Sequence, residues 1–340
     1  MASSGAPAPL PLGRREALIF LASLPVALAG CGTSDPAVDE PGSNTSGANS
    51  PAANSSTSPS PTATGTPSRQ IVQVTSLEKA LADLAGAINT GTQQAELSRN
   101  QRRLLAAVQA GHLDHAAALH GAEATNQASS EPPPATGPDD ALALLIRRER
   151  AAARRHAKAA VASSGPPALL WASMSVAASS YASALGSDEA APIATSKRRE
   201  LPALSADRAL TELVAQLHAL VYGYQLAIGK LPVLGKRHAR AVEELLRVRI
   251  LRERLISILT ERSITVPVPK SAYVPSLRVH DPASAQKLIS RMQSALLPFC
   301  GLFMAAATGD DRQLAFDTLA ATARTAYSWG ASIRAWPGWP

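Results

Sequence analysis

The chain has few of the residues that define the small specialised classes of protein. Its 340 residues include only 2 Cys, and 4% of them are aromatic and 17% charged. So few cysteines exclude a scaffold held together by disulfides, and 21 Gly exclude a collagen-like chain. An apolar share of 46%, much of it Ala, excludes a wholly disordered protein. Ala-rich, Gly-poor segments of high helix propensity predict an all-α protein.

The N-terminus has the parts of a bacterial export signal. Arg14 and Arg15 supply a positive start, and an uncharged run of 13 residues follows over 17–29. As a helix this run would span about 20 Å, which is short of the ~30 Å hydrocarbon core of a bilayer. It is therefore a poor permanent anchor and a good signal peptide. The arginine pair leaves both the general secretory route and the twin-arginine route open.

Leu28-Ala29-Gly30-Cys31 resembles the lipobox of bacterial lipoproteins. The resemblance implies cleavage after Gly30 and acylation of the Cys31 thiol, which becomes the mature N-terminus. Two fatty chains bury many CH₂ groups at about 0.8 kcal/mol each, which is enough for stable anchoring. We therefore expect a lipoprotein signal peptide over 1–30 and a protein on the outer face of the bacterial cytoplasmic membrane. The alternative is a plain secretory peptide with a chance cysteine.

The segment after the lipobox, over 31–70, consists mainly of Ser, Thr, Pro, Gly, Asn and Ala. It cannot bury enough apolar surface to offset its ordering entropy, so we predict a disordered tether. The remaining chain divides into an N-terminal helical region over 71–190 and a four-helix bundle over 205–338. Cys300 lies in an apolar helical stretch and is predicted to be a small buried hydrophobe.

Apolar periodicity and helix-end signals predict eight helices and no sheet. Thr75 and Glu78 have the spacing of a capping box, which would start the first helix there. Asp281 and Pro282 match an N-cap acid followed by proline at the first helical position. The predicted helices cover about 75–89, 93–123, 139–163, 166–185, 206–228, 235–262, 283–308 and 311–334.

The last four helices resemble a known family. The residues that carry the resemblance are Tyr222-Gly223-Tyr224, Arg252, the segment from Tyr273 to Asp281-Pro282, and the final Trp336-Pro337-Gly338. They are similar to a ferritin-like domain of unknown function in actinobacterial lipoproteins. The resemblance covers about 205–338 and implies a ferritin-like up-down four-helix bundle, without implying an activity.

A di-iron centre in such a bundle needs a Glu from each of two helices and Glu-x-x-His from each of the other two. No Glu in this chain is followed by His three residues later. The resemblance implies metal ligands at positions that are here Leu217, Val248 and Gln293. We therefore expect no metal and no cofactor. His112 and His115 have a spacing that can bind zinc, but we interpret them as part of an exposed polar helix face.

The sixth predicted helix places arginine on its inward face. A buried guanidinium is costly unless it is paired. Arg249 and Arg252 are therefore candidates for binding an anion or for an ion pair with Asp207, Glu212 or Asp317. The alternative is that these arginines extend to the edge of the bundle and keep their charge in water.

The net charge of +7 and a pI near 9.7 leave two interpretations open, a solvated basic surface or a surface that binds anionic partners. Outside the membrane we expect anionic lipid or cell-wall polymer rather than nucleic acid. No motif for a reaction is present, so the sequence favours a non-catalytic binding or scaffold lipoprotein rather than an enzyme. The alternative is a ferritin-like metalloprotein with an atypical site that uses His112, His115 and His218.

The lipobox generates a direct test. Cys31→Ser removes the thiol that would be acylated, so this variant is expected to leave the membrane fraction because its signal peptide is a poor anchor. Fractionation of cells that express the full chain, with membranes washed in high salt to release proteins held by charge alone, measures the change. A Cys300→Ser variant is the control and should stay in the membrane fraction. Unchanged fractionation of Cys31→Ser would contradict the lipid anchor.

Overall fold

The computed structural model describes residues 69–91, 97–120, 137–187, 192–194 and 197–340. The predicted signal peptide, with Gly30 and Cys31, and nearly all of the predicted tether lie outside the described residues.

The described residues form eight helices and two very short strands, which confirms the all-α class. The predicted bounds of the fourth and fifth helices coincide with those observed, whereas the first helix starts earlier and the eighth ends earlier than predicted. The helices are α1 (Arg69–Thr90), α2 (Arg99–His120), α3 (Pro138–Ala162), α4 (Pro166–Leu185), α5 (Ala206–Ile228), α6 (Lys236–Glu261), α7 (Pro282–Ala306) and α8 (Asp311–Ser328).

The expectation of no sheet is wrong in one place. β1 (Ile193–Ala194) pairs in parallel with β2 (Ile333–Arg334), and the Ile333 N–H donates to the Pro192 carbonyl at 2.8 Å. Two residues per strand are too few to show a period of two in the sequence. The pair attaches the connection between α4 and α5 to the segment that follows α8.

The predicted capping box at Thr75 and Glu78 is wrong, because α1 already begins at Arg69. The Thr75 hydroxyl donates to the Ile71 carbonyl one turn earlier, at 2.9 Å, and Glu78 lies in the interior of the helix. The cap predicted for α7 is confirmed. There the Asp281 carboxylate accepts the backbone N–H of Ser284 at 2.7 Å, and Pro282 takes the first helical position.

The helices pack as two four-helix bundles. In the first, α1 packs on α2 and α3 packs on α4; in the second, α5 packs on α6 and α7, and α7 packs on α8. α4 also packs against α7 and α8, and the described residues form one compact unit. α4 and α7 are long and apolar enough to cross a membrane, but most of the apolar stretch of α4 is buried inside the protein. α4 is therefore a core helix of the protein.

The inward face of α6 differs from the face that the sequence predicted. Its buried residues include Glu244, whereas Arg249 lies at the surface and Arg252 is half-buried. Arg252 does form an ion pair, but with the neighbouring Glu253, whose carboxylate accepts from Nε at 3.0 Å. The three acids expected as partners bind elsewhere. Asp207 pairs with Arg262, Glu212 pairs with Arg208, and Asp317 accepts from Gln313.

Cys300 is buried, as predicted, and its Sγ lies 3.6 Å from the Thr322 hydroxyl. Burial raises the pKa of its thiol to about 12, and the Thr322 contact offsets only part of this rise. The thiol therefore stays protonated and unreactive at neutral pH.

The segment after α8 packs against both bundles. Trp336 is buried, and its Nε1–H donates to the Asp114 carboxylate on α2 at 2.6 Å. The Ser173 hydroxyl on α4 donates to the Pro337 carbonyl at 2.7 Å. On α7, Gly301 lets this segment approach closely, because a Cβ at this position would lie 1.8 Å from the Gly338 carbonyl oxygen. We call residues 329–340 the C-terminal segment.

This close approach predicts a large effect of a small substitution. Gly301→Ala is expected to lower the free energy of unfolding by about 1–3 kcal/mol, because the added methyl group meets backbone that must move. Gly229→Ala is the matched control. A Cβ there has its nearest neighbours at 3.7 Å, so the protein should keep its stability or gain about 0.4–1 kcal/mol. Chemical denaturation measures both variants, and equal effects would contradict the close approach.

Candidate metal site

Three helices of the first bundle bring five ionisable side chains together in its interior. His112 and His115 are three residues apart on α2, and Glu149 and His156 are seven apart on α3, so each pair shares one helix face. All five are at most 1% exposed, so the interpretation of His112 and His115 as an exposed face is wrong. The cluster consists of Glu78, His112, His115, Glu149 and His156.

Glu78 is the centre of this cluster. Its Oε2 lies 2.8 Å from Nδ1 of His112 and 2.9 Å from Nδ1 of His115. Its Oε1 lies 2.8 Å from Nε2 of His156. One carboxylate therefore contacts three imidazole rings, two from α2 and one from α3.

The far sides of the two α2 rings also have partners. Nε2 of His112 lies 2.7 Å from Oε1 of Glu149, and Nε2 of His115 lies 2.9 Å from the Ala335 carbonyl oxygen. A carbonyl oxygen only accepts, so Nε2 of His115 carries a proton. In a neutral ring Nδ1 then presents a lone pair to the Glu78 carboxylate. Such a contact is favourable only when a proton or a cation lies between the two atoms.

The electrostatics of the cluster call for positive charge between its carboxylates. Burial alone would raise the pKa of Glu78, but the charge of His112 and hydrogen bonds from three histidines hold that pKa well below its usual range. Burial would lower the pKa of His112, but Glu149 and Glu78 raise it to about 10. Without a metal, the Glu78 carboxylate and the His112 imidazolium therefore form a buried ion pair.

The same atoms can hold a metal ion. Glu78, His112 and His115 each offer one ligand atom, and these three atoms all lie within 4.8 Å of one another. Two imidazoles and one carboxylate suit a divalent transition metal. Glu149 and the Ala335 carbonyl would then accept the second ring N–H of each histidine, which is the usual way that proteins orient such ligands. In the described part of the chain no other group of three such ligands is found.

Aromatic rings surround the cluster and keep water out. The Trp336 ring centroid lies 4.6 Å from that of His115, and the Tyr181 centroid lies 5.6 Å from that of His112. Trp171 stacks on His156 at 5.8 Å. In such a low-dielectric interior, charge interactions are stronger than in water.

Two polar atoms of the cluster are buried without a hydrogen-bond partner. They are Oε2 of Glu149 and Nδ1 of His156. Buried polar atoms of native proteins nearly always have a partner in the protein or in bound water, and each exception needs an explanation. Both atoms belong to the one cluster that could hold a metal ion.

The second bundle contains no comparable cluster within the described residues. His218, expected to join His112 and His115 in an atypical site, instead has its Nε2 3.1 Å from the Pro267 carbonyl oxygen, and burial and the nearby Arg252 lower its pKa. Gln293 is buried and donates to the Tyr224 hydroxyl at 2.8 Å. Beside it lies a cavity of about 640 Å³ between α6 and α8. The acids that line this cavity are Glu244 and Asp317.

Sequence reasoning missed most of the cluster. The sequence patterns assign Glu78 to a helix cap and give no role to Glu149 or His156. The available signal was the seven-residue spacing of Glu149 and His156, which places an acid and a histidine on one face of α3. Combined with His112 and His115 on a second helix, it could have suggested an inward polar layer.

Comparisons with known proteins concern the second bundle. Residues 209–340 match a domain of unknown function, DUF4439. This match confirms that the last four helices resemble a domain of unknown function. A solved structure of a conserved hypothetical protein, rv2844, from Mycobacterium tuberculosis is 25% identical, with a TM-score of 0.35. The match covers 36% of this chain and 94% of that chain. No curated protein matches. All five side chains of the cluster lie outside the matched residues.

The buried pairing of Glu78 predicts a large loss of stability on its neutralisation. Glu78→Gln in metal-free protein is expected to lower the free energy of unfolding by about 3–5 kcal/mol, because it removes one partner of a buried ion pair. Glu212→Gln, which breaks an exposed pair with Arg208, is the control and should cost about 1 kcal/mol or less. Urea denaturation of both variants in the presence of a chelator measures the difference. Similar losses would contradict a special role for Glu78.

Proposed function

We propose that this protein is a lipid-anchored protein of the bacterial cell envelope whose first bundle binds a divalent transition-metal ion. Metal binding is proposed here instead of the non-catalytic binding or scaffold role that the sequence favoured. It corresponds to the alternative function, a metalloprotein with an atypical site. In the proposed site Glu78, rather than His218, is the third ligand beside His112 and His115. The observation that carries the proposal is the orientation of His115, whose Nε2 donates to a carbonyl while its Nδ1 joins that of His112 at the Glu78 carboxylate.

The charge of the cluster supports a divalent ion. Two carboxylates, Glu78 and Glu149, are buried there, and a buried charge is costly unless it is paired. A divalent cation balances both and replaces the proton that His112 otherwise holds between them.

The ligand types narrow the choice of metal. Imidazole suits zinc, iron, copper and nickel, whereas a site of oxygen ligands alone would suit magnesium or calcium. With two histidines and one glutamate, three protein ligands leave a position open for water or a small ligand, as in catalytic zinc sites. The sequence of the first bundle offers no Cys to shift the preference towards soft metal ions.

The location of the protein rests on the lipobox. Acylation of Cys31 would hold the folded part at the outer face of the cytoplasmic membrane through the tether over 31–70. Anionic lipid and cell-wall polymers would then be the nearest partners for a chain with a net charge of +7.

Metal titration of the full chain tests the site. After chelator treatment, the wild-type chain is expected to bind one Zn²⁺, Fe²⁺ or Ni²⁺ per molecule, measured by elemental analysis and calorimetry. Glu149→Gln should weaken the affinity by about 10–100-fold, because a neutral amide replaces the charged acceptor that orients His112. His115→Ala removes a ligand and should weaken the affinity further. His280→Ala, an exposed histidine, is the control and should bind as wild type does.

Two results would contradict the proposal. One is a wild-type chain that binds none of the three ions after refolding is verified. The other is equal affinity in wild type, His115→Ala and Glu149→Gln. Co²⁺ substitution adds a spectroscopic check, since ligation by nitrogen and oxygen should give visible absorption bands that are lost in His115→Ala and kept in His280→Ala.

A further inference from the structure

Exposed apolar side chains are concentrated in one part of the second bundle. Val233 and Leu234 lie in the turn before α6, and three more lie on α6 itself. Their exposed fractions range from 45% for Val242 to 101% for Leu234. We call this group the outer stripe; it consists of Val233, Leu234, Val242, Leu246 and Ile250.

The three members of the outer stripe on α6 form a second apolar face of this helix. Val242, Leu246 and Ile250 follow one another at four-residue steps, so they lie along one side of the helix. Leu245 and Val248 point the other way and are buried in the bundle. α6 therefore presents apolar side chains in two opposite directions, and one direction is already satisfied by packing on α5. The described residues leave the other direction open to solvent.

Positive charge borders the outer stripe. Residues 230–254 contain eight Lys and Arg against three Glu. Helical geometry of α6 puts Arg249 on one side of the stripe and Arg247 and Arg254 on the other. The two glutamates beside the stripe are paired, Glu243 with Arg247 and Glu253 with Arg252, so these pairs are neutral. The excess positive charge comes from the exposed Arg249 on one side and Arg254 on the other. The border is therefore basic on both sides.

We propose that the outer stripe docks on the surface of an anionic lipid bilayer. A helix with an apolar face bordered by Lys and Arg lies in the plane of the interface. Its apolar side chains enter the boundary between head groups and acyl chains, and its basic side chains bind lipid phosphates. The charge on the stripe's border matches a bilayer rich in phosphatidylglycerol. This contact is independent of the metal site and supplies a second membrane signal beside any acyl chain at Cys31.

Vesicle flotation tests the proposal on the full chain with Cys31→Ser, which removes any acyl anchor. This chain is expected to float with vesicles that contain phosphatidylglycerol and to stay behind with vesicles of phosphatidylcholine alone. Combining Leu246→Ser with Ile250→Ser should lower the vesicle-bound fraction about tenfold or more, because it removes apolar insertion. Combining Arg247→Gln with Arg249→Gln should lower it as well and weaken its dependence on salt.

Matched controls come from the first bundle. Val72→Ser with Leu113→Ser removes two apolar side chains of similar exposure, 45% and 49%, far along the chain from the stripe. Arg103→Gln with Arg150→Gln removes two exposed charges. Both control pairs should bind vesicles as the parent does. All variants change exposed residues, so denaturation curves should confirm that each is folded.

Three results would overturn the proposal. The first is a stripe variant that floats as well as its control. The second is equal binding to both kinds of vesicle. The third is a parent that does not float and instead forms a dimer in sedimentation experiments, with the Leu246 and Ile250 substitutions restoring the monomer. That outcome would make a second copy of the chain the occupant of the stripe.

Discussion

A carboxylate without contact to water must have its charge compensated, and Glu78 places this requirement in the middle of the first bundle. Moving such a charge out of water costs several kcal/mol unless hydrogen bonds and opposite charge replace the lost hydration. Three imidazoles from two other helices contact the carboxylate, and a proton or a cation between these atoms supplies the positive charge. Because a hydrogen bond tolerates only a few tenths of an ångström, these contacts also set how far α1 can slide against α2 and α3.

The same requirement links the two halves of the chain. His115 needs an acceptor for its outer ring nitrogen, and the acceptor is the carbonyl of Ala335 in the C-terminal segment. Trp336 covers the ring and is held by Asp114, which neighbours His115 on α2. The polar cluster of the first bundle is therefore completed by residues that match the domain of unknown function. Packing of α4 against α7 and α8 holds the two halves at the distance that this contact needs.

Local patterns were enough to predict most helices and were not enough to predict the cluster. α4 and α5 have clear end signals, such as Pro166 and Ser205, and their bounds coincide with the predicted ones. Glu78 meets His112 and His156 across separations of 34 and 78 residues, which no periodicity within one helix can reveal. The sequence pattern of a di-iron site does not reveal the cluster for a related reason. It requires Glu and His on one helix three residues apart, whereas here the central carboxylate and its histidines come from different helices.

The inward face of α6 was misplaced because the helix has two apolar faces. Val242 lies on the exposed face and Leu245 on the buried face. A single apolar face that includes both residues therefore points partly to the core and partly to the solvent. Only the position of α5 decides which face is buried, and that position is a property of the whole fold. Glu244 lies on the buried face of α6, where the sequence pattern predicts Arg249 and Arg252 instead.

The distance along the chain between His115 and its acceptor has a consequence for biosynthesis. Ala335 is made 220 residues after His115, an interval on the order of 10–40 s at ordinary rates of translation. During this time a nascent first bundle can form its helices but cannot finish its polar interior. A ribosome that stalls late in the message therefore releases a chain whose histidine layer is open on one side. Quality-control proteases could distinguish such a chain from the finished product.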